Sequence, residues 1–579
     1  LKEHEYYYND YSILEDPDNT VIAIDLETTG LEPSKDKICY VSMCAREGQG
    51  YVFSWPMQDG SLAFLMNPKY KKVFHHAKFD MAFLEKEGYV INNWTDTQIM
   101  AYHYDNRNSG RGSGLKVLAS SYLDKDEPTA FKDLFPKRQN KGKTIMDVPV
   151  ELVIPYAGDD AIHTYELWWY LEEAIGNNKN ILDGITLDLK CSKVIKEIQR
   201  NGCKINTTKL LSMQQDCNNK MVECDRILGK WVPEGTNMNS TKQMQDLLFQ
   251  QWKLPIVDFT DKGGFAVDDA ALEILQKRHS AISFIRERRF YKKLHSTYLG
   301  PFAEYTREDG FVYGSLNQTA TITGRLSSSN PNLQNIPVKH EMGQEFRNCW
   351  VSRFPGGRLV VADHSQIEMR VMAHFSEDTE LIRAIKAGED LHTATAKNIF
   401  GVKEPTKEQR GIAKTINFGV IYGMGTRKLA ISLGISTKEA DKYLKAFFRC
   451  YYGVAEYMQS QQEYAKDEGC VHTLLDRQLN IHTYDYSGTR AVNYPIQGSA
   501  AEILKVGMVN VYNHLHSNQN KYKSKMILQV HDELVLDCPP VETSLADEIE
   551  GLMLAGLPKL KVPLAVNVKV VESWGEGKD

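Results

Sequence analysis

Residues 526–537, MILQVHDELVLD, constrain the fold more than any other stretch of this chain. Two apolar runs, Met526 to Val530 and Leu534 to Leu536, flank His531, Asp532 and Glu533. Short apolar runs of this kind read as strands at the centre of a sheet. Ionised carboxylates are costly there unless paired, hydrogen-bonded or bound to metal. A solvent-facing hairpin turn is the plainer alternative, because acidic residues suit turns. Either way, a strand pair tipped by adjacent acids is expected.

The remaining composition is that of an ordinary globular protein, 42% hydrophobic and 25% charged over 579 residues. That length suits two to four domains of roughly 150 residues. No run of about 18 apolar residues appears, so no membrane-spanning helix is expected. The formal charge of -6 gives no global attraction to nucleic acid, and any such binding has to use local patches. The ten cysteines are scattered without zinc-ribbon spacing and are expected as free thiols. The chain starts at Leu1 rather than Met, which reads as a fragment or processed form.

No repeat recurs at a fixed period. Residues 21–24, VIAI, form a short buried strand ending at Asp25, and helical pattern follows around Ala82–Lys86. The stretch 132–149 reads as an exposed loop. Its GKT at 142–144 is no phosphate loop, because Lys137 stands where that motif needs glycine. From about Ile185 to Tyr298 the pattern is mostly helical. There Lys277, Arg278, Arg286, Arg288, Arg289, Lys292 and Lys293 crowd one segment, interleaved with Phe284, Phe290 and Tyr291. Such a run is either a solvated helix face or a grip on a phosphate backbone. Strand and turn pattern runs from Tyr313 to Ala362, helices dominate about 378–515, and a strand at 565–572 follows.

Asp25 and Glu27 sit two apart on a strand and therefore point to one face. Their repulsion becomes binding when a hard divalent ion takes their oxygens. Asp80 ends HHAKFD, and Tyr156 precedes Asp160 by four, one face of a helix. The ordered set Asp-x-Glu, Asp, Tyr-x-x-x-Asp resembles the proofreading 3'→5' exonuclease family. The resemblance implies two metal ions about 4 Å apart. Asp25 would bridge both, Glu27 and Asp160 would sit on one side, Asp80 would help hold the second ion, and Tyr156 would orient the attacking water. The family has Asn four residues before the third acid; here it is His76.

Residues 410–423 read RGIAKTINFGVIYG. Arg410, Lys414, Phe418 and Tyr422 are spaced by four, so on a helix they form one slanting stripe of two cations and two aromatics. Cations suit a triphosphate and a flat ring suits a base. The same spacing also fits an amphipathic helix with its aromatics in the core. The wording R-x-x-x-K-x-x-x-F-G-x-x-Y-G resembles the fingers helix of family A DNA polymerases. VADHSQIEMRVMAH at 361–374 and HDE at 531–533 resemble that family's palm motifs, TGRLSSSNPNLQNIP at 323–337 and NYPIQGSAAEI at 493–503 match further segments, and His392 lies in DLHTATA.

This resemblance covers nearly the whole chain and implies an α/β multidomain protein. A ribonuclease-H-like 3'→5' exonuclease domain at 1–175 would precede a right-hand polymerase, with thumb 185–300, palm 301–375 and 500–579, and fingers 376–499. It implies that Asp363 and Asp532 hold two Mg²⁺ ions, with Mn²⁺ as a substitute, and that Glu533 supports them. Arg410, Lys414 and His392 would offset triphosphate charge, and Lys414 would also protonate the pyrophosphate. Phe418 and Tyr422 would serve the base, and Glu368 would exclude a ribose 2'-hydroxyl. Arg325, Asn332, Gln334 and Asn335 would lie along the duplex, Asn493 and Gln497 beside the template, and His531 at the primer end. The residue after the first palm acid is usually Tyr and here is His364.

The expected function is template-directed DNA synthesis from dNTPs at a primer 3' end with proofreading, in DNA replication. Expected partners are primer-template DNA, dNTPs and a helicase-primase with other replication proteins. The N-terminal flap nuclease of the bacterial enzyme is absent here, so nick translation is not expected. A surface rich in Asn, Lys and Tyr and the truncated start suggest an organelle enzyme, and within the family the chain most resembles the plastid (apicoplast) replicative type, which implies the plastid stroma, with bacterial cytoplasm as the alternative. Two other readings fit the same residues. One is a non-catalytic DNA-binding module that keeps the fold, and the other is a repair polymerase whose exonuclease domain is only a scaffold.

Overall fold

The computed structural model describes residues 4–125, 131–135, 142–260, 263–337, 341–482, 488–517 and 522–577. The N-terminal part is built on a six-stranded mixed sheet. Its strands are β1 (Glu5–Tyr8), β2 (Val21–Thr28), β3 (Ile38–Cys44), β4 (Gln49–Ser54), β5 (Lys71–Phe74) and β6 (Trp94–Asp96), in the order β1-β4-β3-β2-β5-β6. Period-two alternation divides β2 between two cores. Ile22, Ile24 and Leu26 pack with Met81 and Leu84 of helix α1 (Ala77–Lys86). Ala23 faces Ala161, Ile162 and Trp168 of the long helix α3 (Val150–Ile175), and a shorter helix, α2 (Leu115–Tyr122), joins that side. Asp25 and Glu27 share the parity of Ala23, so the alternation that builds the sheet also turns both acids toward α3.

A second sheet lies in the C-terminal part. It is four-stranded and antiparallel, formed by β7 (Arg358–His364), β8 (Lys525–Val530), β9 (Glu533–Cys538) and β10 (Val566–Val571), in the order β8-β9-β7-β10. Leu359, Val361 and Val535 face one core, whereas Val360, Ala362, Leu534 and Leu536 face another. Burial on both faces explains why the strands read as continuous apolar runs rather than alternating ones. Helices α4 (Lys179–Asn201) and α10 (Thr489–Ser517) cover the second face through Val194, Ile198, Leu504 and Met508.

Between these sheets the segment expected as mostly helical is so, through α5 (Thr207–Leu228) and α6 (Ala281–Lys293), but a short strand at Cys203–Ile205 interrupts it. The helix-rich stretch after the first palm-like strand contains α7 (Ile367–Ser376), α8 (Leu391–Phe400) and α9 (Lys407–Ile421). The exposed loop expected at 132–149 needs correction. Residues 136–141, including Lys137, lie outside the described residues, but Phe135, Ile145 and Val148 are buried together against Val52 and Ala157. Lysines and prolines suggested exposure, whereas the interspersed apolar side chains bury. All ten cysteines are free, as expected. No helix among the described residues is long and apolar enough to cross a membrane.

Candidate active sites

The N-terminal acids converge. Asp25, Glu27 and Asp160 each place one carboxylate oxygen within 4.8 Å of the others. Strand β2 supplies the first two and α3 the third. Burial, reinforced by the neighbouring acids, holds the Asp25 and Glu27 carboxyls well above the usual carboxylate range. Asp80, in the first turn of α1, is raised the same way by burial and by Asp25. Burial pushes Asp160 up to about 6, while the Lys116 ammonium works against the shift. Carboxylates crowded in this manner fit a hard divalent cation, which would relieve the repulsion the fold imposes. Tyr156 lies one turn before Asp160 on α3, and burial with Glu27 and Asp160 raises its phenol.

Two features of this site had no sequence signal. Lys116 of α2 places Nζ 3.6 Å from Asp160 Oδ1 and 4.3 Å from the Tyr156 ring centre. A lone lysine in an amphipathic helix carries no mark of such a position. Asp96 is buried and accepts from the backbone N–H groups of His76, Ala77 and Gln98, so it anchors the start of α1. His76 precedes α1 in a left-handed conformation, φ +69°, with its ring stacked on Phe79. His75 hydrogen-bonds through Nδ1 to Thr97 Oγ1 at 2.8 Å and through Nε2 to Ser113 O at 3.0 Å. Burial pushes the two imidazoles down to about 4 for His75 and about 3 for His76, so neither behaves as a solvated loop histidine.

In the second sheet, Asp363 pairs across the ladder with Glu533, and the His364 N–H donates to the Asp532 carbonyl at 3.1 Å. Residues distant in the chain thus stand side by side at one rim of the sheet. His531 and Asp532 form the turn between β8 and β9, with His531 at φ +57°, a left-handed conformation that non-glycine residues adopt sparingly. Glu533 is buried and accepts from Trp574 Nε1 at 2.5 Å. Beneath these acids lies Arg347, almost wholly buried, its guanidinium 4.0 Å from the Trp574 ring centre. Burial lowers its pKa, and Glu533 and Asp363 oppose that shift. Sequence reading missed this cation. His364 is buried, with neither ring nitrogen hydrogen-bonded among the described residues, and burial lowers its pKa to about 4.

The stripe on α9 faces outward. Phe418 is 38% and Tyr422 40% exposed, and Arg410 and Lys414 are exposed as well, which excludes the packing of its aromatics in the core. Thr406 and Gln409 cap the helix reciprocally. Arg410 holds both Asp390 oxygens, at 2.9 and 2.8 Å. His392 of α8 is buried beside the stripe, its Nδ1 3.0 Å from Asn417 Nδ2 and its ring 5.6 Å from Phe418. Glu368, in the first turn of α7, pairs with Arg325 and accepts from the Tyr422 hydroxyl at 3.1 Å.

Other expected contact residues divide between exposed and structural positions. Asn332 Oδ1 accepts the N–H groups of Gln334 and Asn335 at 3.0 and 3.1 Å, a turn-forming role. Gln334 is buried and donates to Gln529 Oε1 at 2.8 Å, while Asn335 is exposed. Asn493 and Gln497 lie one turn apart on α10 and are partly buried. In the basic segment, Arg286 pairs with Asp269, Arg288 pairs with Asp225, and Arg289 donates to the Met238 and Val267 carbonyls. Those three arginines hold their own subdomain together. Lys277, Arg278, Lys292 and Lys293 are exposed.

Crowded acids beside one sheet, and paired acids with an exposed cation-and-ring stripe beside another, are two separate clusters whose chemistry suits divalent cations and phosphate groups. Comparison with known proteins narrows this chemistry. The family model for DNA polymerase family A matches residues 207–576, and that for the 3'-5' exonuclease matches residues 8–175. The chain belongs to DNA polymerase family A and carries a 3'-5' exonuclease domain. It is 34% identical to DNA polymerase I of Chloroflexus aurantiacus over 96% of this chain and 61% of that protein. To DNA polymerase I of Pseudomonas aeruginosa it is 33% identical, over 96% of this chain and 63% of the other. The chain therefore spans about three fifths of the length of these relatives. The fold matches the solved POL domain of Pol1 from M. smegmatis in complex with DNA primer-template and dNTP. That match has a TM-score of 0.86 and 27% identity, and it covers 99% of both chains.

Proposed function

We propose that the chain extends a primer 3' end with dNTPs on a DNA template and removes mispaired ends in the 3'→5' direction. The observation that carries this reading is the pairing of β7 with β9, which sets Asp363 beside Asp532 and Glu533. The polymerase acids Asp363 and Asp532 and the exonuclease acids Asp25, Glu27, Asp80 and Asp160 are oxygen donors suited to Mg²⁺, two ions per centre, with Mn²⁺ as a substitute. When bound, such a pair supplies an activated oxygen nucleophile and charge neutralisation at phosphorus.

The chain's own groups do the rest. Arg410 and Lys414 receive the triphosphate, with His392 beside them. Phe418 and Tyr422 face the base, and Lys414 protonates the departing pyrophosphate. Glu368, held by Arg325 and Tyr422, fills the space a 2'-hydroxyl would need. Arg325, Asn335, Asn493, Gln497 and His531 line the path of the duplex. Asn332 and Gln334 shape that path through their turn. In the N-terminal domain Tyr156 orients water toward the phosphodiester. The thumb is assigned to 185–300, the palm to 301–375 and 500–579, and the fingers to 376–499. A helicase-primase as partner rests on the resemblance to replicative polymerases, and an organellar, plastid-type setting rests on the Asn-, Lys- and Tyr-rich composition, while both relatives named above are bacterial. Targeting of a tagged full-length protein tests the setting.

The deciding experiment is extension of a primer with a mismatched 3' end. Asp532→Ala abolishes extension and leaves degradation, and Asp25→Ala does the reverse. Loss of both activities in both variants contradicts two separate centres.

A further inference from the structure

We propose that His4, Asp159 and His163 form a binding site for a zinc-class divalent cation, separate from both acid centres. Each of the three offers one ligand atom, and these atoms lie within 4.8 Å of one another. Asp159 and His163 are one turn apart on α3 and share a face. His4 immediately precedes β1, whose pairing with β4 brings the chain start against that helix. His4 Nδ1 lies 2.7 Å from Asp159 Oδ1, and the Tyr6 hydroxyl donates to the same oxygen at 2.7 Å. The two imidazole rings are 5.7 Å apart.

His163 supplies the independent sign of a ligand. It is only 4% exposed, and its Nδ1 is buried without a hydrogen-bond partner among the described residues. A buried polar atom left unsatisfied calls for an explanation. Burial also holds this imidazole down at about 4, in the neutral form a metal takes. Two imidazoles and one carboxylate fit a tetrahedral N/O site with its fourth position open to solvent. The His4 and Asp159 side chains are 16% and 28% exposed, which leaves a way in.

Two cations oppose the ion, Lys116 and Lys125, both of which lower the His163 imidazole, and Lys125 also touches His4. Lys125 Nζ lies 3.3 Å from His4 Nε2 and 3.1 Å from Glu166 Oε2. On metal binding, His4 gives its Nδ1 lone pair to the cation and carries its proton on Nε2, so Lys125 withdraws to Glu166. Lys125 thus acts as an internal competitor. A cation here would tie the segment before β1 to α3, the helix that carries Tyr156 and Asp160.

The test uses the full chain with Asp25→Ala and Asp532→Ala, stripped with EDTA and titrated with Zn²⁺ alone by calorimetry. The proposal expects Zn²⁺ to bind still, once per chain, and Co²⁺ to give the intense visible absorption of a tetrahedral site. His4→Ala and His163→Gln should each weaken Zn²⁺ binding by at least about tenfold and remove the Co²⁺ absorption. Lys125→Ala should tighten it. Melting in EDTA equal to the parent's shows that each variant is folded, and added Zn²⁺ should raise the melting temperature only where the site is intact. Zn²⁺ stoichiometry and Co²⁺ absorption unchanged by the two histidine substitutions, or no Zn²⁺ bound by the parent, overturns the proposal in favour of a metal-free hydrogen-bond relay.

Discussion

At position 418 a phenyl ring faces solvent one turn beyond Lys414, where a phenol would add a single hydroxyl. If the stripe receives the nucleotide as proposed, a phenol at this position would replace the missing 3'-hydroxyl of a dideoxynucleotide. Phe418→Tyr is therefore expected to raise dideoxynucleotide incorporation at least about tenfold, the worth of one well-placed hydrogen bond. Competition between dideoxy- and deoxynucleotides on one template measures it, and no change would place the stripe elsewhere. Lys116 has a pH signature instead. Burial raises the Asp160 carboxyl and the Lys116 ammonium holds the rise to about 6, so Lys116→Met leaves Asp160 protonated to still higher pH. The pH midpoint of Mn²⁺ binding to the exonuclease acids should move upward in that variant. A downward move would show that Lys116 does not act on Asp160.

Among the elements, Glu368 joins three: the start of α7, the turn bearing Arg325, and Tyr422 at the end of α9. On the proposed reading Glu368→Ala opens space beside the sugar, and it frees both Arg325 and Tyr422. Ribonucleotide discrimination should fall at least about tenfold, since the site then lacks a rejecting contact. Single-nucleotide insertion with matched ribo- and deoxynucleotides measures it. This scale also shows what could be read from the chain. That Asp25 shares a face with Glu27, and that Arg410, Lys414, Phe418 and Tyr422 form a stripe, was legible from strand and helix periods, whereas what those faces do came through resemblance. The juxtaposition of Asp363 with Asp532 came through resemblance, because pairing of distant strands leaves no local periodic signal. Arg347, Lys116 and Asp96 stayed hidden because isolated charges acquire meaning only from what folds around them. Buried apolar residues at 135, 145 and 148 were masked by the lysines between them.

The whole molecule is joined across its two halves by a buried polar junction. Asp188 of α4 receives His103 Nε2 at 2.7 Å from the exonuclease side and Lys505 Nζ at 2.6 Å from α10. Burial pushes the Asp188 carboxyl up, but Lys505 and His103 outweigh it and hold it well below the usual range. The stability this depression contributes is fully present above the ordinary Asp value of ~3.9 and is lost as pH falls toward the lower folded value. Asp188→Ala strands a buried ammonium and should cost about 3–5 kcal/mol. Denaturant melts at pH 7 measure this, and the difference from the parent should shrink in strong acid. A loss under about 1 kcal/mol would mean that water reaches the junction.

The both-face burial of β7 and β9 has one last consequence. Their side chains alternate between two filled cores, so sliding either strand by one position would drive a whole row of aliphatic groups into the wrong layer. Insertions or deletions between 358 and 364 or between 533 and 538 are therefore forbidden by packing, before chemistry has any say. The spatial relation of Asp363 to Asp532 is inherited from the carpentry of the sheet and needs no device of its own to maintain it.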